Sequence, residues 1–153
     1  MMSVKPIPDG YHAITPYLIV KGATQAIDFY KSVFGATEIM RMPGPGGRIM
    51  HAELKMGDSV VMLADENPER GVRAPSGDGG ESISLYLYVP DVDAVFSRAT
   101  AAGAKTTRPV TDQFYGDRNG TLVDPFGHIW SVGTHVEDVS PEEMKRRMAA
   151  MAA

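Results

Sequence analysis

The sequence predicts an α+β fold of two βαβββ modules, with helices on the outside and a polar-lined central cavity inside. Three observations lead there. The stretch from Val20 through Phe34 to Gly35-Ala36 and the stretch from Val89 through Phe96 to Gly103-Ala104 share one plan: strand, short link, amphipathic helix, then Gly-Ala leading into a strand. Each copy closes on a hairpin signal, Gly57-Asp58 in the first and Asp124-Pro125-Phe126-Gly127 in the second. In the clearest strands one side is aliphatic and the other carries hydroxyls, aromatics or charges, as in a sheet covered by helices on one face. The copies lie about seventy residues apart, too far for a solenoid array.

Taken in order, Pro6, Pro8 and Gly10 make residues 1–11 an extended lead-in. Residues 14–20 alternate as a strand, with Ile14, Leu18 and Val20 on one face and Thr15, Tyr17 and Ile19 on the other. Pro16 places that strand at a sheet edge or a strand start. Ala23, Ala26, Ile27, Tyr30, Val33 and Phe34 recur at helical spacing, and Gly35 stops the helix. Residues 37–42 form a strand, and Pro43-Gly44-Pro45-Gly46-Gly47 breaks it. The Gly57-Asp58 turn pairs Met56 with Ser59, sets Glu53 opposite Met62 and His51 opposite Ala64, and leaves Ala52, Leu54, Val61 and Leu63 on the apolar face. Module one thus covers about 12–64. Residues 65–81 hold little apolar mass and read as a flap or linker.

Module two covers about 82–136. Residues 82–89 alternate Ile83, Leu85, Leu87 and Val89 against Ser84, Tyr86 and Tyr88. Asp91 caps a helix whose stripe is Val92, Val95, Phe96, Ala99 and Ala102, ended by Gly103. If Asp124 and Gly127 close their turn, Leu122 faces Ile129, Gly120 faces Ser131 and Arg118 faces Gly133. Arg118 and Ser131 then look the same way, while Thr121, Val123, Trp130 and Val132 point to a covered core. Ser140-Pro141-Glu142-Glu143 opens a last helix, about 140–150, with Met144, Met148 and Met151 on one stripe and Lys145-Arg146-Arg147 towards its negative end. That helix is expected to dock on the domain or on a second chain.

Composition removes several classes of function. A net charge of −4 and a pI near 5.5 give no electrostatic footprint for nucleic acid, and the one basic cluster, Lys145-Arg146-Arg147, is short. With no Cys there are no disulfides, thiolate zinc sites or cysteine nucleophiles, so a metal would need His and carboxylate ligands. The opening Met1-Met2-Ser3-Val4-Lys5-Pro6 lacks an apolar signal core, and no apolar run approaches the roughly 18 residues of a membrane span. The expectation is a cytoplasmic protein with neither nucleic acid nor membrane as partner.

The cavity side is expected to carry Thr15, Tyr17, His51, Glu53, Met62, Ser84, Tyr86, Tyr88, Tyr115, Arg118 and Ser131. His51, Glu53 and Arg118 are the catalytic candidates. Arg118 would grip an anionic or carbonyl oxygen through its planar fork, or form an ion pair with Glu53. His51 or Glu53 would accept a proton if burial moved its pKa. A different reading joins His12 to His51 and Glu53 as metal ligands. His128 is expected to shield the turn beside Asp124, and His135 lies past the last strand without an evident partner.

Several motifs together carry a resemblance. Ala26-Ile27-Asp28-Phe29-Tyr30 to Phe34-Gly35-Ala36, His51-Ala52-Glu53-Leu54, Gly57-Asp58-Ser59, Met62-Leu63, Tyr115-Gly116-Asp117-Arg118 and Asp124-Pro125-Phe126-Gly127-His128-Ile129-Trp130, set in the paired plan, resemble the glyoxalase, bleomycin-resistance and dioxygenase superfamily. The PhnB-like branch is the nearest match, over residues 12 to about 148. The resemblance implies one curved mixed sheet around a pocket, a homodimer, and a divalent metal held by one ligand from each of four strands. Those four positions fall here on Thr15, Met62, Ser84 and Ser131. Hydroxyls and a thioether lack the charge and basicity to hold such an ion, so the expectation is a pocket for a small molecule with no metal and no other cofactor. A drug-sequestering protein is the alternative, with Tyr17, Tyr86, Tyr88, Phe114 and Tyr115 stacking on a planar cation. A divalent-metal-dependent lyase, isomerase or dioxygenase is the third reading.

Overall fold

The computed structural model describes residues 4–78 and 80–152, so the expectations placed on residues 1–3 and on Gly79 of the flap lie outside the described residues. Contacts divide the chain into two compact units, Met1–Gly79 with Phe126–His128, and Gly80–Pro125 with Ile129–Ala153. The strands hydrogen-bond as two separate four-stranded mixed sheets, neither closed on itself, where a single sheet was expected.

In the first unit the order is β1 (Tyr17–Val20), α1 (Ala23–Phe34), β2 (Thr37–Pro43), β3 (Ile49–Met56) and β4 (Ser59–Asp65), and the sheet runs β1-β4-β3-β2. The strand β1 is parallel to β4, with Tyr17 beside Met62, while β4 and β2 flank β3 antiparallel. The tight Gly57-Asp58 turn sets Met56 opposite Ser59 and Glu53 opposite Met62, as its chemistry dictates. Because side chains alternate across a strand, Ala52, Leu54 and Leu63 go to one face, where they are fully buried with Val20, Ala23, Ala26, Ile27 and Tyr30. Helix α1 ends at Gly35, which takes φ 70° at little steric cost. Asp65 ties the unit together, since its carboxylate accepts the backbone N–H groups of Gly22 and Ala23 at 3.0 and 2.8 Å and that of Ile49 at 2.8 Å.

The first strand is shorter than its alternation suggested. Ile14 is 88% exposed and Thr15 lies outside β1; Pro16, which has no N–H, contributes only its carbonyl, to Met62 N.

The second unit holds β5 (Ser84–Tyr88), α2 (Val92–Ala101), β6 (Lys105–Asp112), β7 (Asp117–Val123), β8 (Ile129–His135) and α3 (Pro141–Met151), with sheet order β5-β8-β7-β6. Asp91 caps α2 by accepting from Ala94 N at 3.1 Å, and Ser140 caps α3 by accepting from Glu143 N at 3.2 Å. Val92, Val95, Phe96 and Ala99 of α2 are buried, as are Leu122, Trp130 and Val132 of the sheet. Helix α3 buries no residue; Arg147 anchors it by donating to Glu137 and to the Phe114 carbonyl. No helix among the described residues is long and apolar enough to cross a membrane.

The second hairpin departs from expectation by one residue. Val123 pairs with Ile129, so Leu122 faces Trp130, Thr121 faces Ser131 and Arg118 faces Thr134. The connection includes His128 as well as Asp124 to Gly127, with Gly127 at φ 93° and the His128 ring bonded to the Ile19 carbonyl at 2.9 Å. A one-residue change of register moves every side chain of one strand relative to its partner's faces.

Candidate functional site

In the first unit, β1, β3 and β4 bring Tyr17, His51, Glu53 and Met62 onto the face away from α1. Glu53 is only 8% exposed. His51 Nε2 lies 2.7 Å from Glu53 Oε2, and the Tyr17 hydroxyl lies 2.8 Å from His51 Nδ1. Tyr11, from the lead-in segment, donates its hydroxyl to Glu53 Oε1. The four side chains form one hydrogen-bonded row.

The electrostatics follow from this row. The hydrogen bonds from Tyr11 and then His51 hold the Glu53 carboxyl below the usual range, although burial pushes the other way. Burial, with the Glu53 charge nearby, raises the Tyr17 phenol, which keeps its proton. An ionised Glu53 accepts Nε2–H, leaving Nδ1 to accept from Tyr17. The carboxylate is therefore a poor general base: burial was expected to move it, but the two hydrogen bonds outweigh burial.

A cleft of about 370 Å³ opens over this row, lined by Pro6, Pro8, Tyr11, His12, Glu53 and Met62 among others. Thr15 also lines it. Nothing in the proline-rich sequence of the lead-in marks Tyr11 as a partner of Glu53, because only the fold brings residues so far apart in the chain together. His12 turns its Nε2 towards the Asp58 carbonyl at 3.3 Å rather than towards His51 and Glu53.

The second unit carries a different cluster. Asp117, buried on β7, accepts the hydroxyls of Tyr86 and Tyr88 at 2.8 Å each and His135 Nδ1 at 2.8 Å. Asn119, fully buried, donates Nδ2 to the hydroxyls of Tyr86 and Tyr115 at 2.9 and 2.7 Å, and its Oδ1 has no partner. Burial is the largest single influence on Asp117 and raises its carboxyl. The hydrogen bonds from His135, Tyr86 and Tyr88 together outweigh it and hold the group low. Burial likewise pushes the Tyr86 phenol up. Tyr86, Tyr88 and Tyr115 thus do gather, around Asp117 and Asn119, which the expected register had turned inward. His135 has two carboxylate partners, Asp117 and Asp138.

Arg118 requires correction. In the observed register it shares a face with Leu122, Trp130 and Val132, the side that α2 covers. Its Nε and Nη2 donate to both oxygens of Asp93 on α2 at 2.8 and 3.0 Å, and its Nη1 donates to Asp112 at 3.1 Å. It is a clamp between strand and helix rather than a partner of Glu53. Ser131 stays on the Tyr86 face but bonds Thr121 at 3.1 Å, and Ser84 is exposed at the start of β5.

The four positions that would hold a divalent ion in a relative do not fit one here. The Thr15 hydroxyl donates to the His12 carbonyl at 3.1 Å, Ser131 is bonded to Thr121, and Met62 offers a neutral thioether. Among the described residues, no group of three or more His, Cys, Asp or Glu could hold a metal ion.

Comparison with known proteins agrees with the architecture. An uncharacterized protein of Mycobacterium bovis is 43% identical over 141 residues, spanning 90% of this chain and 93% of that one. The crystal structure of TioX from Micromonospora sp. ML1 superposes with a TM-score of 0.63 at 30% identity, covering 82% of this chain and 99% of the other. A PhnB protein from Bacillus cereus shares the fold with a TM-score of 0.64 at 21% identity, over 80% and 99% of the two chains. The family model for the Glyoxalase/Bleomycin resistance protein/Dioxygenase superfamily matches residues 11–132, and the chain belongs to that superfamily.

Proposed function

We propose that this chain is a PhnB-like small-molecule-binding protein that holds its ligand in the first unit's cleft without a divalent metal. The observation that carries this reading is Glu53: an ionised, nearly buried carboxylate lining a cleft of about 370 Å³ whose other walls are largely apolar. Burying a charge is costly unless it is hydrogen-bonded, and Tyr11 and His51 fill about two of its roughly four acceptor positions. The rest favour a ligand that presents a cation or a hydrogen-bond donor. Such a cleft lies near the lower end of the size range for small-molecule sites. The weak basicity of Glu53 favours binding over proton abstraction.

The test is calorimetry with benzamidine as the cationic probe. Wild type is expected to bind and Glu53→Gln to lose roughly tenfold in affinity. Equal affinity in the two proteins rejects the reading. The same reading takes the protein as a cytoplasmic homodimer, supported by apolar side chains left open on the second unit, such as Ile83 at 76% exposure. Light scattering on the purified protein checks the dimer.

One observation favours a second reading, drug sequestration. Tyr86 and Tyr88 are 44% and 60% exposed, their ring centroids lie 4.8 Å apart, and their hydroxyls are both held by Asp117. The exposed part of this aromatic pair suits a planar cation. Absence of both bleomycin binding and protection of cells against bleomycin would set it aside.

A further inference from the structure

The first unit has a second cleft, of about 280 Å³, whose polar lining has the opposite character to that around Glu53. Its polar groups include Arg48, Asn67 and Arg70; Ile19, Met50 and Val72 supply apolar wall. Arg48 stands just before β3, and Arg70 stands in the turn that the Asn67–Val72 bridge closes. Of the nine arginines of this acidic chain, Arg41, Arg118, Arg146 and Arg147 sit in ion pairs and Arg108 donates to Thr121. Among the described residues, the side chains of Arg48 and Arg70 make no ion pair or hydrogen bond. The one acid lining this cleft, Asp65, is already committed to the backbone N–H groups of Gly22, Ala23 and Ile49.

We propose that this cleft binds a small organic oxyanion, a carboxylate with a compact apolar body, held by the planar forks of Arg48 and Arg70. A guanidinium matches a carboxylate two bonds at a time, and two of them against the single charge of Asp65 leave net positive charge for a ligand to neutralise. The Asn67 amide adds a neutral donor. The apolar body lies on Ile19, Met50 and Val72, and the small volume limits its size. Tyr17 also lines this cleft, and through His51 it is hydrogen-bonded to Glu53 in the other. The two clefts thus share one hydrogen-bonded row, but the oxyanion is held by Arg48 and Arg70, which line this cleft alone, so the proposal does not depend on the reading of the Glu53 cleft.

The experiment titrates benzoate, phenylphosphonate and inorganic phosphate into protein labelled at its methionine methyl groups, with Arg48→Gln, Arg70→Gln and, as charge-matched control, Lys105→Gln. Benzoate is expected to bind wild type and Lys105→Gln alike, to shift the Met50 methyl signal and not that of Met148 on α3, and to lose roughly tenfold in affinity in either arginine variant. Phenylphosphonate binding more weakly than benzoate, and inorganic phosphate weakest, supports the carboxylate assignment. The proposal is overturned if benzoate does not bind, if the arginine variants bind as wild type does, if Lys105→Gln loses as much, or if inorganic phosphate binds as tightly as benzoate. Arg48→Gln, at a residue that does not line the Glu53 cleft, is expected to leave benzamidine affinity unchanged, which separates failure here from failure of the benzamidine test.

Discussion

His51 and Glu53, two residues apart on β3, are joined by a 2.7 Å hydrogen bond from Nε2 to Oε2. The bond fixes which imidazole nitrogen carries the proton, and so what Tyr17 meets at Nδ1. It also leaves Glu53 anionic in a nearly closed setting.

Tyr11→Phe removes the hydrogen bond that does most to lower the Glu53 carboxyl, so that carboxyl is expected to titrate at higher pH. A lowered carboxyl contributes stability above its ordinary value of 4.5 and loses it as pH falls through the folded value. In Tyr11→Phe that contribution is smaller and is used up at a higher pH, so the acid-side loss of stability is shallower. Carboxyl carbon NMR titration, with urea unfolding on the acid side, checks both; an unmoved titration rejects the Tyr11 contact.

Arg118→Ala is expected to leave benzamidine and benzoate binding unchanged and to lower thermal stability, since Asp93 and Asp112 lose their shared partner. Thermal melts and calorimetry on one preparation read both. Lost binding in a folded variant would return Arg118 to the site.

His135 and Asp117 give stability two limits in pH. The hydrogen bonds from His135 to Asp117 and Asp138 raise its imidazole. Its contribution is full below the ordinary value of 6.5 and is lost as pH rises through the raised value. Asp117, held low, contributes above its ordinary 3.8 and loses that as pH falls. His135→Gln is expected to flatten the alkaline-side decline in the urea midpoint while keeping an acid-side one. A wild-type midpoint that is flat above neutrality would contradict the pairing.

Gly120 on β7 faces α2, where an added Cβ would lie 2.7 Å from Phe96 Cζ and 2.9 Å from the Arg108 carbonyl oxygen. The backbone cannot easily yield, so Gly120→Ala is expected to cost about 1–3 kcal/mol in urea unfolding. A change near zero would show that strand and helix separate freely there.

The chain's order of residues determined the local architecture: the repeated strand and helix plan, the Gly35 stop, the Asp91 and Ser140 caps, and the Gly57-Asp58 register that sets Glu53 against Met62. These are short-range consequences of side-chain period and turn chemistry. Tertiary structure decided what depends on contacts between distant segments. His128, held by the Ile19 carbonyl, joined the second turn; that one added residue turned Arg118 towards α2 and Asp117 and Asn119 towards the tyrosines. Distance along the chain likewise hid Tyr11 over Glu53 and the pairing of Arg48 with Arg70 in one cleft, because no local pattern records which remote side chains a fold will bring together.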